Sequence, residues 1–180
     1  MKKLTLLRHA KSGWDDPVAR DFDRPLNKRG ERAAKVIGTW MKREGLSFDH
    51  IIASPAVRVI DTLDQVVTTF GPLGEPTWER RVYLASSATL MDVLRELGTA
   101  YDNVLMVGHN PGLEDLILDI VPDVKGDVLR DAVYEKYPTA AVAEMEIDIS
   151  DWADIDRNSG KLTRYIRPRD LDPELGPEDE

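Results

Sequence analysis

The stretch Lys3-Leu4-Thr5-Leu6-Leu7-Arg8-His9 is a short apolar run that ends on two basic residues. Its length and apolar content predict a buried β-strand over residues 3–8. Two more buried strands are predicted at residues 50–53 and 103–107, and segments with helical patterns separate the three. Strands that alternate with helices are typical of a sheet covered by helices on both faces. The sequence therefore predicts a three-layer α/β/α sandwich with a mostly parallel central sheet.

The segments around these strands fit that architecture. Asn27 can cap a helix that continues to about residue 44, where Gly45 ends it. The pair Ser54-Pro55 opens a second helix that extends to about residue 70, and residues 89–97 form another. One face of the first helix is apolar, which indicates packing against the sheet; it carries Ala33, Ala34, Ile37, Trp40 and Met41. The alternating residues 140–149 and 162–166 predict a closing hairpin.

The chain of 180 residues is long enough for one domain with a sizeable buried core. It has no internal repeat and no interior linker, so we expect a single domain over residues 1–169. The segment 170–180 contains Pro and Gly together with six acidic residues and no basic one: Asp170, Asp172, Glu174, Glu178, Asp179 and Glu180. This composition predicts a solvated, disordered tail.

Composition narrows the partners and the compartment. The formal net charge of −9 argues against a nucleic-acid partner and against an anionic membrane surface. No apolar run is long enough to cross a bilayer. The chain has no cysteine, which excludes disulfides and thiolate chemistry and fits a reducing compartment. We therefore expect a cytoplasmic protein.

Four ionisable side chains follow the ends of predicted strands. Arg8 and His9 end the strand at residues 3–8, Arg58 lies one turn into the helix after the strand at 50–53, and His109 follows the strand at 103–107. Ligands of α/β sheets bind beyond the carboxyl ends of the strands. Each residue alone has an ordinary explanation, such as a strand end, a loop histidine or a solvated helix arginine. Together, at the same edge of a parallel sheet, they predict a phosphate pocket.

The helices that follow these strands should add to the pocket. Ser54 as N-cap, with Pro55 at the first helical position, would place Arg58 in the first turn, leaning back towards the strand ends. Asn110-Pro111 repeats this arrangement directly after His109. Both helices would then point unpaired N–H groups and the positive ends of their dipoles at the bound anion.

A resemblance to a known family rests on several blocks of sequence. Leu7-Arg8-His9-Ala10-Lys11-Ser12 resembles the Arg-His-Gly signature of the histidine phosphatase superfamily, the phosphoglycerate-mutase-like proteins, with Ala10 in place of the usual glycine. Later blocks match in order: Pro25-Leu26-Asn27 to Gly30, Ser54-Pro55 to Arg58, Thr62, and Gly108-His109-Asn110. The residues of the first block and the stretch Asp23-Arg24-Pro25-Leu26 are most similar to those of the small SixA-type phosphohistidine phosphatases.

The resemblance implies a phosphoglycerate-mutase-like fold and a two-step phosphoryl transfer without metal or other cofactor. His9 is expected to attack phosphorus, while Arg8, Arg58 and His109 stabilise the transferring group, His109 in its protonated form. Ser12, Arg24 and Asn110 are expected to contact the substrate. No cluster of histidines and carboxylates at metal-ligand spacing is visible in the sequence.

The expected general acid is missing. Residues 77–84 are predicted as a third strand along the chain with its connecting loop. Many superfamily members place a glutamate in the loop after this third strand, but this chain has Tyr83-Leu84-Ala85-Ser86-Ser87 there. Asp15, Asp16 and Asp21, in the loop after His9, are candidate substitutes. A leaving group that needs little protonation would remove the difficulty, so the sequence favours phosphohistidine in proteins, or another phosphoramidate or aryl phosphate. The alternatives are a non-catalytic phosphate-recognition module, a small-molecule phosphomonoesterase, and a scaffold that acts through the acidic tail.

Overall fold

A six-stranded sheet organises the molecule, whose computed structural model describes residues 1–14, 17 and 20–176. The strands are β1 (Lys2–Arg8), β2 (His50–Ala53), β3 (Thr77–Trp78), β4 (Asn103–Gly108), β5 (Val142–Ile147) and β6 (Gly160–Ile166). Their spatial order is β3-β2-β4-β1-β5-β6. β3, β2, β4 and β1 are mutually parallel, while β5 runs antiparallel to β1 and β6 antiparallel to β5. The mostly parallel sheet predicted from the sequence is confirmed.

Helices cover both faces of this sheet. They are α1 (Lys28–Arg43), α2 (Val57–Phe70), α3 (Ser87–Arg95), α4 (Gly112–Ile120), α5 (Val128–Glu135) and α6 (Pro168–Leu171). Side chains of α1 and α2 share one apolar core with Leu7 and Leu105 of the sheet. Side chains of α3, α4 and α5 share the other core with Leu6 and Met106. Side chains of alternate strand residues therefore point into two separate apolar cores. The sheet, with a layer of helices on each face, gives the three layers.

Helix α1 forms for the reasons visible in its sequence. The Asn27 side chain accepts a hydrogen bond from the Gly30 amide at 2.8 Å, and Lys42 and Arg43 lie in the last turn beside the negative end of the helix dipole. Gly30 also permits a close approach, since a Cβ there would lie 2.1 Å from the carbonyl oxygen of Lys11. The first turn of α1 is therefore packed directly against the loop that follows His9.

Two predicted helix starts are wrong, by two residues for α2 and by one for α4. Helix α2 begins at Val57, with Ala56 rather than Ser54 at the N-cap, and α4 begins at Gly112, with Pro111 at the N-cap. The Ser54 hydroxyl bonds His109 Nε2 at 2.7 Å and also accepts from the Ala56 amide at 3.3 Å. The Asn110 side chain accepts a 3.3 Å bond from the Glu114 amide, so it still serves one N–H of the first turn.

The chain after residue 169 departs from the prediction of a disordered tail. Residues Pro173–Leu175 form a 3₁₀ turn, Leu175 is buried, and Arg32 of α1 pairs with Asp172 and Glu174. Residues 170–176 therefore pack against α1, while 177–180 lie outside the described residues. Helix α5 has no counterpart in the prediction, because its only buried side chain is Val133 and its apolar pattern is correspondingly weak. Across the described part of the chain, no helix combines the length and apolar character needed to cross a membrane.

Candidate active site

The carboxyl ends of β1, β4 and β2 lie side by side, because Arg8 pairs in register with Gly108 and Ala53 with Val107. The structure thereby brings His9, Arg58 and His109 together from three distant parts of the sequence. The Arg58 Nε lies 3.4 Å from His9 Nε2, and its Nη2 lies 3.3 Å from His109 Nδ1. The centroids of the two imidazole rings are 5.2 Å apart.

The protonation of His9 follows from its hydrogen bonds. Nδ1 lies 2.7 Å from the carbonyl oxygen of Ala10, and because a carbonyl can only accept, Nδ1 carries the proton. The lone pair is then on Nε2, which accepts the bond from Arg58 Nε. Burial, reinforced by His109 and by the guanidinium groups of Arg8 and Arg58, lowers the pKa of His9 well below its ordinary value. His9 is therefore a neutral imidazole with Nε2 facing the pocket.

His109 has the opposite tautomer. A guanidinium can only donate, so Nδ1 accepts from Arg58 and the proton lies on Nε2, which donates to the Ser54 hydroxyl at 2.7 Å. Burial and the neighbouring charge of Arg58 lower the pKa of His109 to about 3. The ring is neutral in this state, which differs from the protonated form expected with phosphate bound. A bound dianion would favour the imidazolium and raise this pKa.

Arg58 is the hub of the site. It is 2 % exposed, and besides the two histidines it donates from Nη1 to the Asp21 carbonyl at 2.7 Å and from Nη2 to the Asp21 carboxylate at 3.0 Å. Thr62, one turn further along α2, donates to the Arg58 carbonyl and accepts from the amide of Ala10 at 2.9 Å. The threonine therefore ties the helix of Arg58 to the residue after His9.

Asp21 is an ionised carboxylate that accepts hydrogen bonds from three neighbouring side chains. Its carboxylate accepts from the Tyr83 hydroxyl at 2.6 Å and from Arg24 Nη2 at 2.9 Å, in addition to Arg58. Burial alone would raise the pKa of Asp21, but hydrogen bonds from Tyr83 and Arg24 and the charge of Arg58 hold it well below the usual range. An ionised carboxylate has no proton to give, so this geometry does not support the expectation of a general acid at Asp21. Asp15 and Asp16 lie outside the described residues.

The three predicted substrate-binding residues lie around these groups. Arg24 donates to the Ser12 hydroxyl, and its guanidinium lies 3.6 Å above the exposed ring of Trp14, so these three form one rim. Asn110 is different, because its Nδ2 donates to the Tyr137 carbonyl at 2.8 Å and its Oδ1 accepts from the Glu114 amide. Both polar ends of Asn110 thus have protein partners, an arrangement that suits positioning rather than contact with substrate.

Arg8 is held beside Asn110. Its Nη1 donates to the same Tyr137 carbonyl at 3.0 Å, and the Tyr137 hydroxyl donates to the Leu6 carbonyl at 2.7 Å. Sequence reasoning missed Tyr137 and Tyr83, and it gave Ser54 and Thr62 no side-chain role in the site. Tyr137 and Tyr83 come from irregular segments with no motif. The Ser-Pro pair did mark residue 54, but as a helix cap.

The arrangement suits a tetrahedral anion in front of His9 Nε2. Arginine presents planar, permanently charged forks that match phosphate oxygens, and Arg58 and Arg24 both face Asp21, itself an anion. Within the described ranges, no group of three or more His, Cys, Asp or Glu side chains is arranged to hold a metal ion.

Comparison with known proteins agrees with this geometry. The family model of the histidine phosphatase superfamily (branch 1) matches residues 4–81. An uncharacterized protein of Mycobacterium tuberculosis is 29% identical over 165 residues, covering 91% of this chain and all of its own. Among solved structures, SixA of Agrobacterium tumefaciens, assigned as a phosphohistidine phosphatase, is 27% identical with a TM-score of 0.76 and covers 93% of this chain and 98% of its own. A protein histidine phosphatase SixA complexed with tungstate, 20% identical, shares the fold with a TM-score of 0.76, covering 94% and 99% of the two chains.

The fold, the paired histidines and the arginine hub define a phosphoryl-transfer protein of the phosphoglycerate-mutase-like class. Residues 4–81 of the chain match the histidine phosphatase superfamily (branch 1), and the protein is a phosphatase. Its structural neighbours include SixA proteins.

Proposed function

We propose that the protein hydrolyses phosphohistidine in proteins through a covalent phosphoryl group on His9. The observation that carries this proposal is the tautomer of His9, whose Nδ1 donates to the Ala10 carbonyl and leaves the Nε2 lone pair facing the cationic groups. In the first step Nε2 forms a bond to phosphorus while the bond to the leaving group breaks. In the second, water attacks phosphorus, releasing phosphate and the neutral ring of His9.

The surrounding groups would stabilise the charge that spreads over the equatorial oxygens during transfer. Arg8 and Arg58 are held in place by backbone carbonyls, of Tyr137 and Asp21 respectively, so their forks need little reorganisation. His109 would become imidazolium as the anion binds and so add a third donor, with Ser54 fixing its ring. Such preorganised donors can replace the charge neutralisation that metal ions supply elsewhere, so we propose a metal-independent reaction.

The missing proton donor supports the choice of substrate. Asp21 is held ionised, and the described part of the loop after β3 carries no carboxylate at residues 83–87. An alkoxide leaving group would need protonation, whereas the imidazole of phosphohistidine leaves far more readily. SixA of A. tumefaciens is assigned as a phosphohistidine phosphatase, which points the same way. Cytoplasmic location remains a prediction from the sequence.

A trapping experiment tests the covalent step. The enzyme is mixed briefly with a phosphohistidine protein, quenched in alkaline denaturant, which preserves phosphoramidates, and analysed by mass spectrometry after digestion. We expect one added phosphoryl group on the peptide that contains His9, and none in His9→Ala, although that variant should still bind inorganic phosphate through the arginines. An unmodified His9 in a protein that binds phosphate would instead indicate a recognition module.

A further inference from the structure

The rim of the active site carries an aromatic side chain to which the proposed reaction assigns no role. Trp14, in the loop after His9, is 70 % exposed, although tryptophan is on average among the more buried residue types. The guanidinium of Arg24 lies 3.6 Å from the centroid of its ring and covers one face. Arg24 is itself buried and donates to Ser12 and Asp21, so its head group is fixed. The indole therefore rests on a fixed cation, and its other face is open.

A short series of contacts joins this ring to the proposed nucleophile. Arg24 Nη2 and Arg58 Nη2 donate to the two oxygens of one carboxylate, that of Asp21, at 2.9 and 3.0 Å. Arg58 Nε in turn lies 3.4 Å from His9 Nε2. Exposure rises from 2 % at Arg58 to 8 % at Arg24 and is far larger at Trp14. The series therefore leads outward from the reacting nitrogen to solvent.

The direction of phosphoryl transfer places the leaving group on this outward side. In an in-line displacement the attacking and leaving atoms lie on opposite sides of phosphorus. His9 is buried, so Nε2 attacks from the inner side and the leaving group points towards the rim. The flat ring of phosphohistidine can then lie on the open face of Trp14 in an offset stack, a geometry that aromatic pairs prefer.

Two other aromatic side chains near the catalytic groups do not offer an open face in the same way. Tyr83 is half-buried, its hydroxyl is bonded to a carboxylate, and its ring makes edge contacts with Phe22 and His109. Phe22 is also half-buried, between Tyr83 and the guanidinium of Arg80, which lies 5.5 Å from its ring centroid. Among the described residues around the site, Trp14 is thus the aromatic side chain best placed to receive a ring of the substrate.

We propose that Trp14 determines the leaving-group specificity of the enzyme by stacking against the imidazole ring of phosphohistidine. This inference rests on the proposed function and adds a preference for a flat ring bonded directly to phosphorus. Arg24 holds the indole from behind, so little side-chain freedom is lost when the ring binds. The stack also orients the departing nitrogen in line with His9 Nε2.

Two phosphonates with six-membered rings test the contact without any bond breaking. Phenylphosphonate has a flat ring bonded directly to phosphorus, as phosphohistidine has, whereas the ring of cyclohexylphosphonate is puckered. Both are assayed as competitive inhibitors of para-nitrophenyl phosphate hydrolysis by the full-length enzyme. We expect an inhibition constant about fivefold lower for phenylphosphonate, the scale of one aromatic pair. Trp14→Phe should keep most of this preference, and Trp14→Leu should lose it.

The matched control is Trp78→Leu, at the tryptophan of β3 whose indole donates to Glu75, and it should keep the preference. Equal inhibition constants in the unaltered enzyme would overturn the inference, and this comparison does not depend on how well any variant folds. Retention of the preference in Trp14→Leu would overturn it too. So would an equal rise of both constants in Trp14→Leu, because the indole would then only cover Arg24.

Failure of the proposed function gives a different result. If a phosphohistidine peptide is not dephosphorylated while para-nitrophenyl phosphate is, the proposed function fails, whichever phosphonate binds more tightly. If the peptide is dephosphorylated and the two phosphonates bind equally, the proposed function stands and the role of Trp14 is refuted.

Discussion

Arg58 shows how one residue can organise a site. Its guanidinium contacts both imidazoles and both the carbonyl and the carboxylate of Asp21, and it does so while almost fully buried. A buried charge is costly unless its donors are satisfied, and here each of the three nitrogens has a partner. The planar guanidinium group reaches all these partners at once. A positive charge without that shape should therefore not be enough to support catalysis.

Replacing Arg58 by lysine tests this view. We expect Arg58→Lys to lower kcat/KM by a factor of about 100 to 1,000, the usual loss for one preorganised donor, since an ammonium group cannot bridge His9 and His109 in the same way. Steady-state kinetics with an aryl phosphate give the number. Arg157→Lys, on the surface, is the matched control. A loss of less than threefold would show that only the charge of Arg58 matters.

The Asp21 carboxylate contacts Arg58 and Arg24, the side chains that we also expect to lie near the bound substrate anion. We expect Asp21→Asn to lower the inhibition constant of inorganic phosphate by about fivefold, since a carboxylate that repels the anion has been removed at roughly 1 kcal/mol. Competitive inhibition assays measure it. Asp23→Asn, at a carboxylate that pairs with the exposed Arg20, should change little. Selective loss of alkyl phosphate turnover in Asp21→Asn would instead identify Asp21 as the proton donor.

The two depressed histidine pKa values predict a pH dependence of stability. In the unfolded chain these rings titrate near 6.5, whereas in the folded protein the pKa of His109 is about 3 and that of His9 is also lowered. Below pH 6.5 the unfolded state therefore binds more protons, and stability falls as the pH falls. Each ring should cost about 1.4 kcal/mol of unfolding free energy per pH unit in that window.

Urea unfolding at pH 7.5, 6 and 5 measures this dependence. The unaltered protein should lose stability steadily below about pH 6.5, and His109→Gln should lose it less steeply because one titrating ring is gone. His50→Gln, at a less buried histidine, is the control and should keep most of the slope. Equal stability at pH 7.5 and 5 would contradict the burial of neutral rings.

At the scale of elements, α1 and α2 do more than cover the sheet. Helix α1 places Gly30 against the backbone of Lys11, and α2 places Thr62 against the amide of Ala10. The loop that follows His9 is thus clamped by a helix on each side. The geometry of His9, the proposed nucleophile, therefore depends on the packing of two helices, of which α2 carries Arg58, a proposed catalytic group.

The Gly30→Ala variant distinguishes the contribution of packing to stability from that of helix propensity. Alanine in a helix usually stabilises by up to about 1 kcal/mol relative to glycine. Here we expect destabilisation by about 2 kcal/mol, together with reduced kcat, because a Cβ at residue 30 meets the Lys11 carbonyl at 2.1 Å. Thermal unfolding and steady-state kinetics measure both effects. Lys35→Ala, on the exposed face of α1, is the control and should be nearly neutral. Stabilisation by Gly30→Ala would show that the loop can shift freely.

For the whole molecule, the distribution of charge matters more than its sum. A chain of net charge −9 gathers Arg8, Arg24 and Arg58 at one edge of its sheet. The field in that cleft is set by the convergent cations, not by the distant acidic surface, because bulk salt screens the surface charges over about 8–10 Å. An acidic protein can therefore bind a phosphoryl group.

This distribution predicts the effect of chelation. If the arginines and His109 supply the charge neutralisation, turnover of phosphohistidine peptide and of aryl phosphate should be unchanged within about twofold in excess EDTA. The comparison is with enzyme supplemented with Mg²⁺, and a known magnesium-dependent phosphatase is assayed in parallel as a control for the chelator. Loss of activity with EDTA and recovery with Mg²⁺ would refute the metal-independent mechanism.

The sequence by itself predicted the order of the strands and of helices α1 to α4, and it placed Arg8, His9, Arg58 and His109 near strand ends. These features follow from local periodicity and from the rule that parallel strands end at one edge. It also predicted the cap of α1, since that hydrogen bond joins residues three apart. The predicted start of α2 is wrong by two residues, and the sequence gave no sign that the Ser54 hydroxyl bonds His109, 55 residues away.

Only the tertiary structure decided the protonation of the two histidines and the ionised state of Asp21. It also showed the contributions of Thr62, Tyr83 and Tyr137, and it placed residues 170–176 against α1. Each of these depends on contacts between segments far apart in the chain. Hydrogen bonds and burial at such contacts set pKa values and exclude water, and a local pattern of residues carries no information about which distant groups will meet.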